Sequence, residues 1–341
     1  MKPKVLIFTT GGTIAHRSGQ DGVAVMTFNP EELASRIELP DINLGFKQIF
    51  DKGSMDIVPD DWKVIAAAAA DAISQGPHGV VILHGTDTMH YTAAALSFML
   101  QNLGMPVVLT GSMIPGGDAN SDSLHNLRDA IRVAAHSDIA EVCIVFSADP
   151  QRRKGVIIRG NRARKLHSHA IDAFVSVNVP PIGYIEDDKI ILTQLKINHR
   201  KSLKLKLTMD LNQNVVLIKL NPAVTPGMLA QHLQGASGAV LEGTGVGHIK
   251  TDLHKAISSF NKPTVISTQT IFGGEHLGSY DVDRLILDVP NIIPAGDMSS
   301  ETALVKLMWA LKQDGNVKSI MKSNVAGEIR DLVSFISTAD E

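Results

Sequence analysis

Three times in the first third of this chain, a short apolar run breaks into a loop of glycine and hydroxyl residues. Val5-Leu6-Ile7-Phe8 leads into Thr9-Thr10-Gly11-Gly12-Thr13. Val80-Val81-Ile82-Leu83 leads into His84-Gly85-Thr86-Asp87-Thr88, and Pro106-Val107-Val108-Leu109 into Thr110-Gly111-Ser112. Continuous apolar, β-prone runs read as strands buried on both faces, which is the signature of a parallel sheet. All strands of such a sheet point the same way, so the three loops must lie along one edge, outside the carboxyl ends. Hydroxyl groups and one carboxylate, Asp87, are thereby expected to converge. Glycine at the turns tolerates positive φ and lets the backbone approach a ligand or a neighbouring loop. A strand that ends in a glycine turn presenting Thr13 can expose a nucleophile; the alternative is a β-turn with a buried threonine.

The elements between these strands agree with a doubly wound sheet. Pro59-Asp60-Asp61-Trp62 opens a helix that runs through the alanines 66–70, with two acids at its positive dipole end. A second helix is expected through Ala93–Phe98 and a third from Asp122 to His136, after a polar loop at 116–121. Phe46–Phe50 reads as a further strand and Val142–Phe146 as the fifth. Asn29-Pro30-Glu31-Glu32 has the composition of a helix start, and 15–27 reads as an exposed loop. Gln151–Gly155 reads as a hairpin tip. The polar stretch after Pro180-Pro181 marks a boundary. Beyond it, strands are expected at Val215–Lys219, Ala239–Glu242 and Thr264–Ser267, with helices at Pro226–Gln234, Asp252–Phe260 and Ser300–Lys312. The expected fold is α/β: a larger N-terminal, doubly wound, mostly parallel sheet domain over 1–190, a linker over 191–211 and a smaller C-terminal α/β domain over 212–341.

Bulk properties remove several function classes. With 341 residues, more than one core is the default expectation. Net charge is −3, too near neutral to steer the molecule onto nucleic acid or an anionic membrane. The basic stretch 152–165 has no interleaved aromatics and reads as a solvated hairpin or subunit contact. No apolar run is long enough to span a bilayer, and the N-terminus has no signal-peptide pattern, so a cytoplasmic protein is expected. The single cysteine, Cys143, sits in an apolar strand and cannot form an internal disulfide. Thirteen histidines show no telling ligand spacing, so neither a metal nor an organic cofactor is expected. Gly243-Thr244-Gly245-Val246-Gly247 misses the dinucleotide spacing by one residue, and no G-x-S-x-G elbow occurs. A threonine nucleophile needs a base, and a lysine beside a carboxylate can supply coupled proton handling. Lys165 follows the fifth strand and could fold back to the loop edge; from spacing alone, a solvated basic face is the favoured reading.

Several segments together resemble the bacterial-type L-asparaginases, and among them the cytoplasmic type I branch. Thr10-Gly11-Gly12-Thr13-Ile14-Ala15 is similar to the first signature of that family, and His84-Gly85-Thr86-Asp87-Thr88-Met89 to the second. Gly160-Asn161-Arg162-Ala163-Arg164-Lys165 with Asp172-Ala173-Phe174 resembles its lysine segment. Ile293–Met298 and Lys306–Trp309 resemble its C-terminal domain. Met89–Leu100 is also similar to the catalytic part of the D subunit of the archaeal tRNA-dependent glutamine amidotransferase.

The resemblance implies an asparagine amidohydrolase that forms aspartate and ammonia. Thr13 would attack the side-chain amide, and Thr86, Asp87 and Lys165 would handle the proton and the deacylating water. Ser54 and Asp87 would hold the substrate's carboxylate and ammonium, with Gly12, Met55 and Gly85 lining the site. Ser112 would lie where the oxyanion is supported. A homodimer or homotetramer is implied, with the second domain of one subunit over the site of another. Asparagine, or alternatively glutamine, is the expected substrate, and no nucleic acid or membrane partner is expected. Two departures stand out. The family tyrosine after the first signature is missing, since the chain has only Tyr91, Tyr184 and Tyr280, and Met55 replaces a polar residue. The rival readings are a glutaminase-type subunit of a tRNA-dependent amidotransferase and a non-catalytic amino-acid sensor. The first is disfavoured because its extra N-terminal domain would find no room before Val5.

Overall fold

The computed structural model describes residues 2–12, 16–18, 24–26, 35–193, 196–201, 203–278 and 280–330. Thr13 and the expected helix start at Asn29–Glu32 lie outside the described residues. The chain divides into two compact units, Met1–Met209 and Asp210–Glu341.

The first unit is built on one eight-stranded sheet. Its strands are β1 (Lys4–Thr9), β2 (Asn43–Gln48), β3 (Gly79–Leu83), β4 (Val107–Thr110), β5 (Val142–Ser147), β6 (Lys154–Arg159), β7 (Gly183–Glu186) and β8 (Lys189–Leu192). The order is β8-β7-β6-β5-β4-β3-β1-β2. β2, β1, β3, β4 and β5 run parallel; β6, β7 and β8 continue the sheet antiparallel. The chain leaves β1 to one side for β2 and returns to the other side for β3. The carboxyl ends of β1 and β3 therefore flank a topological switch point, the usual place for a ligand crevice.

Among the described residues, three helices cover this sheet: α1 (Pro59–Ser74), α2 (Met89–Met99) and α3 (Ser123–His136). Successive strand residues point to opposite faces. Val5, Ile7, Val81, Leu83, Val108 and Val145 pack with Leu127 and Ile131 of α3 in one core. The intervening Phe8, Val80, Ile82, Leu109 and Ile144 are buried as well, so both faces are covered and the runs have no polar alternation. Cys143 lies in this core with its thiol pKa raised by burial, as an inert small hydrophobe.

Three expectations change. Within the loop expected over 15–27, His16–Ser18 and Ala24–Met26 pair as antiparallel strands. The stretch expected as a linker is tied to the first unit. Residues 191–192 belong to β8, Lys206–Leu207 pair with Leu100–Gln101, and Arg200 donates to the Ala134 carbonyl at 2.8 Å. The basic stretch is not a solvated face throughout, because Arg159 and Arg162 are buried. Arg159 meets Glu141 at 2.5 Å, so its charge is neutralised inside the fold rather than in water.

The second unit has a parallel four-stranded sheet of β9 (Val215–Lys219), β10 (Gly238–Gly243), β11 (Thr264–Thr268) and β12 (Ile292–Pro294). Its helices are α4 (Pro226–Leu233), α5 (His254–Phe260), α6 (Asp281–Leu287), α7 (Ser300–Ala310) and α8 (Val317–Lys322). Leu229, Leu241, Ile257, Ile266 and Ile286 share its core. α6, β12 and α8 add to the expected elements; at seven, three and six residues, they are too short to show a clear period. After β10, Thr244 and His248 pair across a turn and no helix starts, unlike a dinucleotide cradle.

Candidate active site

At the carboxyl edge of the first unit's sheet, the loops after β1 and β3 touch through glycine. Gly12 has φ +92°, and a Cβ there would lie 2.4 Å from the Gly85 nitrogen. A side chain at Gly12 would push the two loops apart, and a Cβ at Gly85 would lie 2.7 Å from the Ser54 Oγ. The strands hold them in register: Thr10 donates its N–H and its hydroxyl to the Leu83 carbonyl at 3.0 and 2.9 Å. His84 donates its N–H to the Thr110 carbonyl at 2.9 Å, which brings in the loop after β4. Ser54, in a short 3-10 turn after β2, is buried beside Gly85. Its Oγ accepts from the Asp87 N–H at 3.2 Å, and its carbonyl accepts from the Thr88 hydroxyl at 2.6 Å.

Lys165 reaches this edge from outside the parallel strands. Ala163–Lys165 pairs antiparallel with Phe174–Ser176, with Lys165 opposite Phe174. The Phe174 ring packs on Phe146 of β5 with centroids 4.8 Å apart, which fixes the ribbon against the sheet. Lys165 Nζ then donates to Thr86 Oγ1 and to Asp87 Oδ1, at 2.8 Å each. The lysine side chain is 12% exposed and the aspartate 60%. This overturns the solvated-face reading of Lys165: the ribbon, invisible in local spacing, carries the ammonium inward. A cavity of about 470 Å³ beside the pair is lined by Asp87, His90, Tyr91, Arg164 and Lys165, among others.

This arrangement can move protons. An ammonium that donates to a threonine hydroxyl stabilises developing negative charge on that oxygen, and the carboxylate steadies the ammonium. The neighbouring histidines are held neutral. Burial pushes His84 down to about 4. It pushes His90 down to about 3, with Arg164 and Lys165 adding repulsion.

The expected residues fall into four groups. Thr86, Ser54, Gly85 and Gly12 meet Asp87 and Lys165 at this edge. Ser112 is buried in the loop after β4, and its Oγ has no hydrogen-bond partner among the described residues. Met55 follows Ser54, but its side chain is 75% exposed. Thr13 lies outside the described residues, one position past Gly12. No three His, Cys, Asp or Glu side chains gather as a metal site among the described residues.

Two features of the site were not read from the sequence. His84 bridges the Gly85 carbonyl at 2.7 Å and the Thr92 hydroxyl at 2.9 Å. Asp122 and Asn126 grip the loop that carries Ser112. The second had a legible signal, since residues four apart on a helix share a face.

The comparisons with known proteins agree in both units. The family model described as "Asparaginase, N-terminal" matches residues 4–198, and "Glutaminase/Asparaginase C-terminal domain" matches 214–323. The D subunit of Glutamyl-tRNA(Gln) amidotransferase from Methanosphaera stadtmanae is 37% identical over 345 residues, covering 98% of this chain and 78% of that one. The thermostable L-asparaginase from Thermococcus kodakarensis superimposes with TM-score 0.87 at 36% identity, over 96% of this chain and 99% of that one. L-asparaginase I from Vibrio cholerae superimposes with TM-score 0.84 at 31% identity, over 97% and 100%. Matching models in both halves, over nearly the whole chain, place it in the asparaginase family.

Proposed function

We propose that this chain hydrolyses the side-chain amide of asparagine to aspartate and ammonia. The observation that carries the reading is the double contact of Lys165 Nζ with Thr86 Oγ1 and Asp87 Oδ1, made across 79 and 78 residues of chain. Thr13 Oγ attacks the amide carbon and its proton passes to the leaving nitrogen. The tetrahedral intermediate collapses to an ester of Thr13 and releases ammonia. Water then gives a proton to the Thr86–Lys165–Asp87 group and attacks the ester; the bond to Thr13 Oγ breaks, that oxygen takes the proton back, and aspartate is freed. Ser54 and Asp87 hold the substrate's carboxylate and ammonium, and Ser112 supports the oxyanion. The active form is a homodimer or homotetramer.

Ammonia release from asparagine tests this. Thr13→Ala and Lys165→Met are each expected to lose about 10²–10⁴ in kcat with the fold intact, the usual share of a nucleophile or an acid–base group. Wild-type rates in either variant would overturn the mechanism. A second reading is favoured by relatives such as the Glutamyl-tRNA(Gln) amidotransferase protein of Methanosphaera stadtmanae, 37% identical to this chain. In that reading the same chemistry supplies ammonia to a partner that amidates charged tRNA. Ammonia release that appears only when such a partner and tRNA are added would favour it.

A further inference from the structure

We propose that Asp122 and Asn126 are positioning residues, which aim the loop after β4 so that Ser112 faces the ligand. This rests on the asparaginase reading of the site. Beyond Thr110 the chain leaves the sheet, and its backbone groups lose their ladder partners. Asp122 replaces them. Its Oδ1 and Oδ2 both accept from the Met113 N–H at 3.1 Å, and Oδ1 also accepts from the Ile114 N–H at 3.0 Å. Asn126 lies one turn further along α3 on the same face. Its Nδ2 donates to Asp122 Oδ2 at 2.8 Å and to the Gly111 carbonyl at 2.9 Å. Its Oδ1 accepts from the Ser147 hydroxyl, at the end of β5, at 2.8 Å.

Asp122, Asn126 and Ser147 are all fully buried. The carbonyl before Ser112 and the two amides after it are therefore fixed to α3, and α3 is fixed to β5. Between those anchors, the Ser112 Oγ is buried and unpartnered among the described residues. A buried hydroxyl left without a partner is destabilising. A loop pinned on both sides, with its middle hydroxyl left open, is preorganised for a group that arrives with the ligand. Gly111 lets the loop lie flat on the second signature, since a Cβ there would be 2.3 Å from the His84 carbonyl oxygen.

The test uses the full-length protein. Asn126→Ala is expected to lower kcat for asparagine about 10²-fold, the size expected for a misplacement of about 1 Å. KM should change by no more than about threefold, because the lost interaction acts in the transition state. Asp122→Asn keeps an acceptor for Met113 and Ile114 but turns an NH₂ onto the Asn126 NH₂, and should lose kcat similarly. Adding Asn126→Asp restores the donor–acceptor match between 122 and 126 but turns a carboxylate oxygen onto the Gly111 carbonyl, so only part of the loss should be recovered, a coupling that independent structural damage would not show. Hydrogen exchange at the Met113 and Ile114 amides should quicken in the single variants. Should Asn126→Ala not fold, Ser147→Ala, which removes one bond, is measured in the same way. Unchanged kcat per folded molecule, or unchanged exchange at 113 and 114, overturns the proposal. A wild type that releases no ammonia overturns the reading of the site instead. The two positions are then judged by exchange at the Met113 and Ile114 amides, which must quicken in the variants.

Discussion

His84 shows how a single residue ties stability to pH at this site. Its Nδ1–H donates to the Gly85 carbonyl at 2.7 Å, and its Nε2 accepts from Thr92 at 2.9 Å, so the neutral ring is satisfied on both sides. Burial holds its pKa at about 4 against an ordinary 6.5. The unfolded chain takes up this proton near pH 6.5, whereas the folded chain resists until about 4. The stabilisation is therefore complete above 6.5 and is lost as pH falls to about 4, a change of about 3 kcal/mol. Urea unfolding at stepped pH should show a steeper fall for wild type than for His84→Gln across that window; parallel curves would refute the assignment. Asp129 works in the opposite sense. Burial pushes its carboxyl up to about 7, so its contribution is present at low pH and is lost as pH rises through 7.

Among the elements, the antiparallel edge β5–β6 depends on a buried ion pair. Arg159 donates from Nε to Glu141 Oε2 at 2.5 Å and from Nη2 to Oε1 at 3.0 Å. The same guanidinium donates to the Lys196 carbonyl at 2.8 Å, and Glu141 accepts from the Asn198 N–H at 2.7 Å. The pair therefore fastens 196–198 to the sheet. Arg159→Met leaves Glu141 buried without its cation and is expected to cost about 3–5 kcal/mol. Arg159→Met with Glu141→Leu should recover most of that loss, because two apolar groups carry no orphaned charge. Chemical denaturation of the two variants checks both statements. β6 matters to the site because the chain passes directly from it, through 160–162, to the ribbon that carries Lys165.

Taken as a whole, the molecule has two units, each with its own apolar core. The second also encloses a fully buried pair, Lys306 and Glu328, 2.5 Å apart. Lys306 donates to the Met321 and Ser323 carbonyls at 2.9 and 2.5 Å. Glu328 accepts from Val325 and Ala326 at 3.0 and 2.7 Å. Lys306→Met strands the carboxylate and should destabilise the second unit by about 3–5 kcal/mol. Hydrogen exchange should quicken across 210–330 and stay near wild type across 35–193. Equal quickening in both would show that the units do not unfold separately. No helix among the described residues is long and apolar enough to cross a membrane.

The strand runs, their shared direction and the loop edge are legible in the order of residues, because burial on both faces leaves an unbroken apolar signature. That order also carried the family signatures around Gly12, Thr86 and Asp87. It did not determine where Lys165 points, since that depends on a three-residue ribbon and one ring contact, Phe174 on Phe146. Nor did local pattern show that Arg159 is buried or that Asp122 holds amides on another segment. A charged residue reads as solvent-facing until its partner is known, and these partners lie 8–79 positions away. Periodicity is local and survives in the one-dimensional record; pairing between distant polar groups is fixed only when the chain has closed around them.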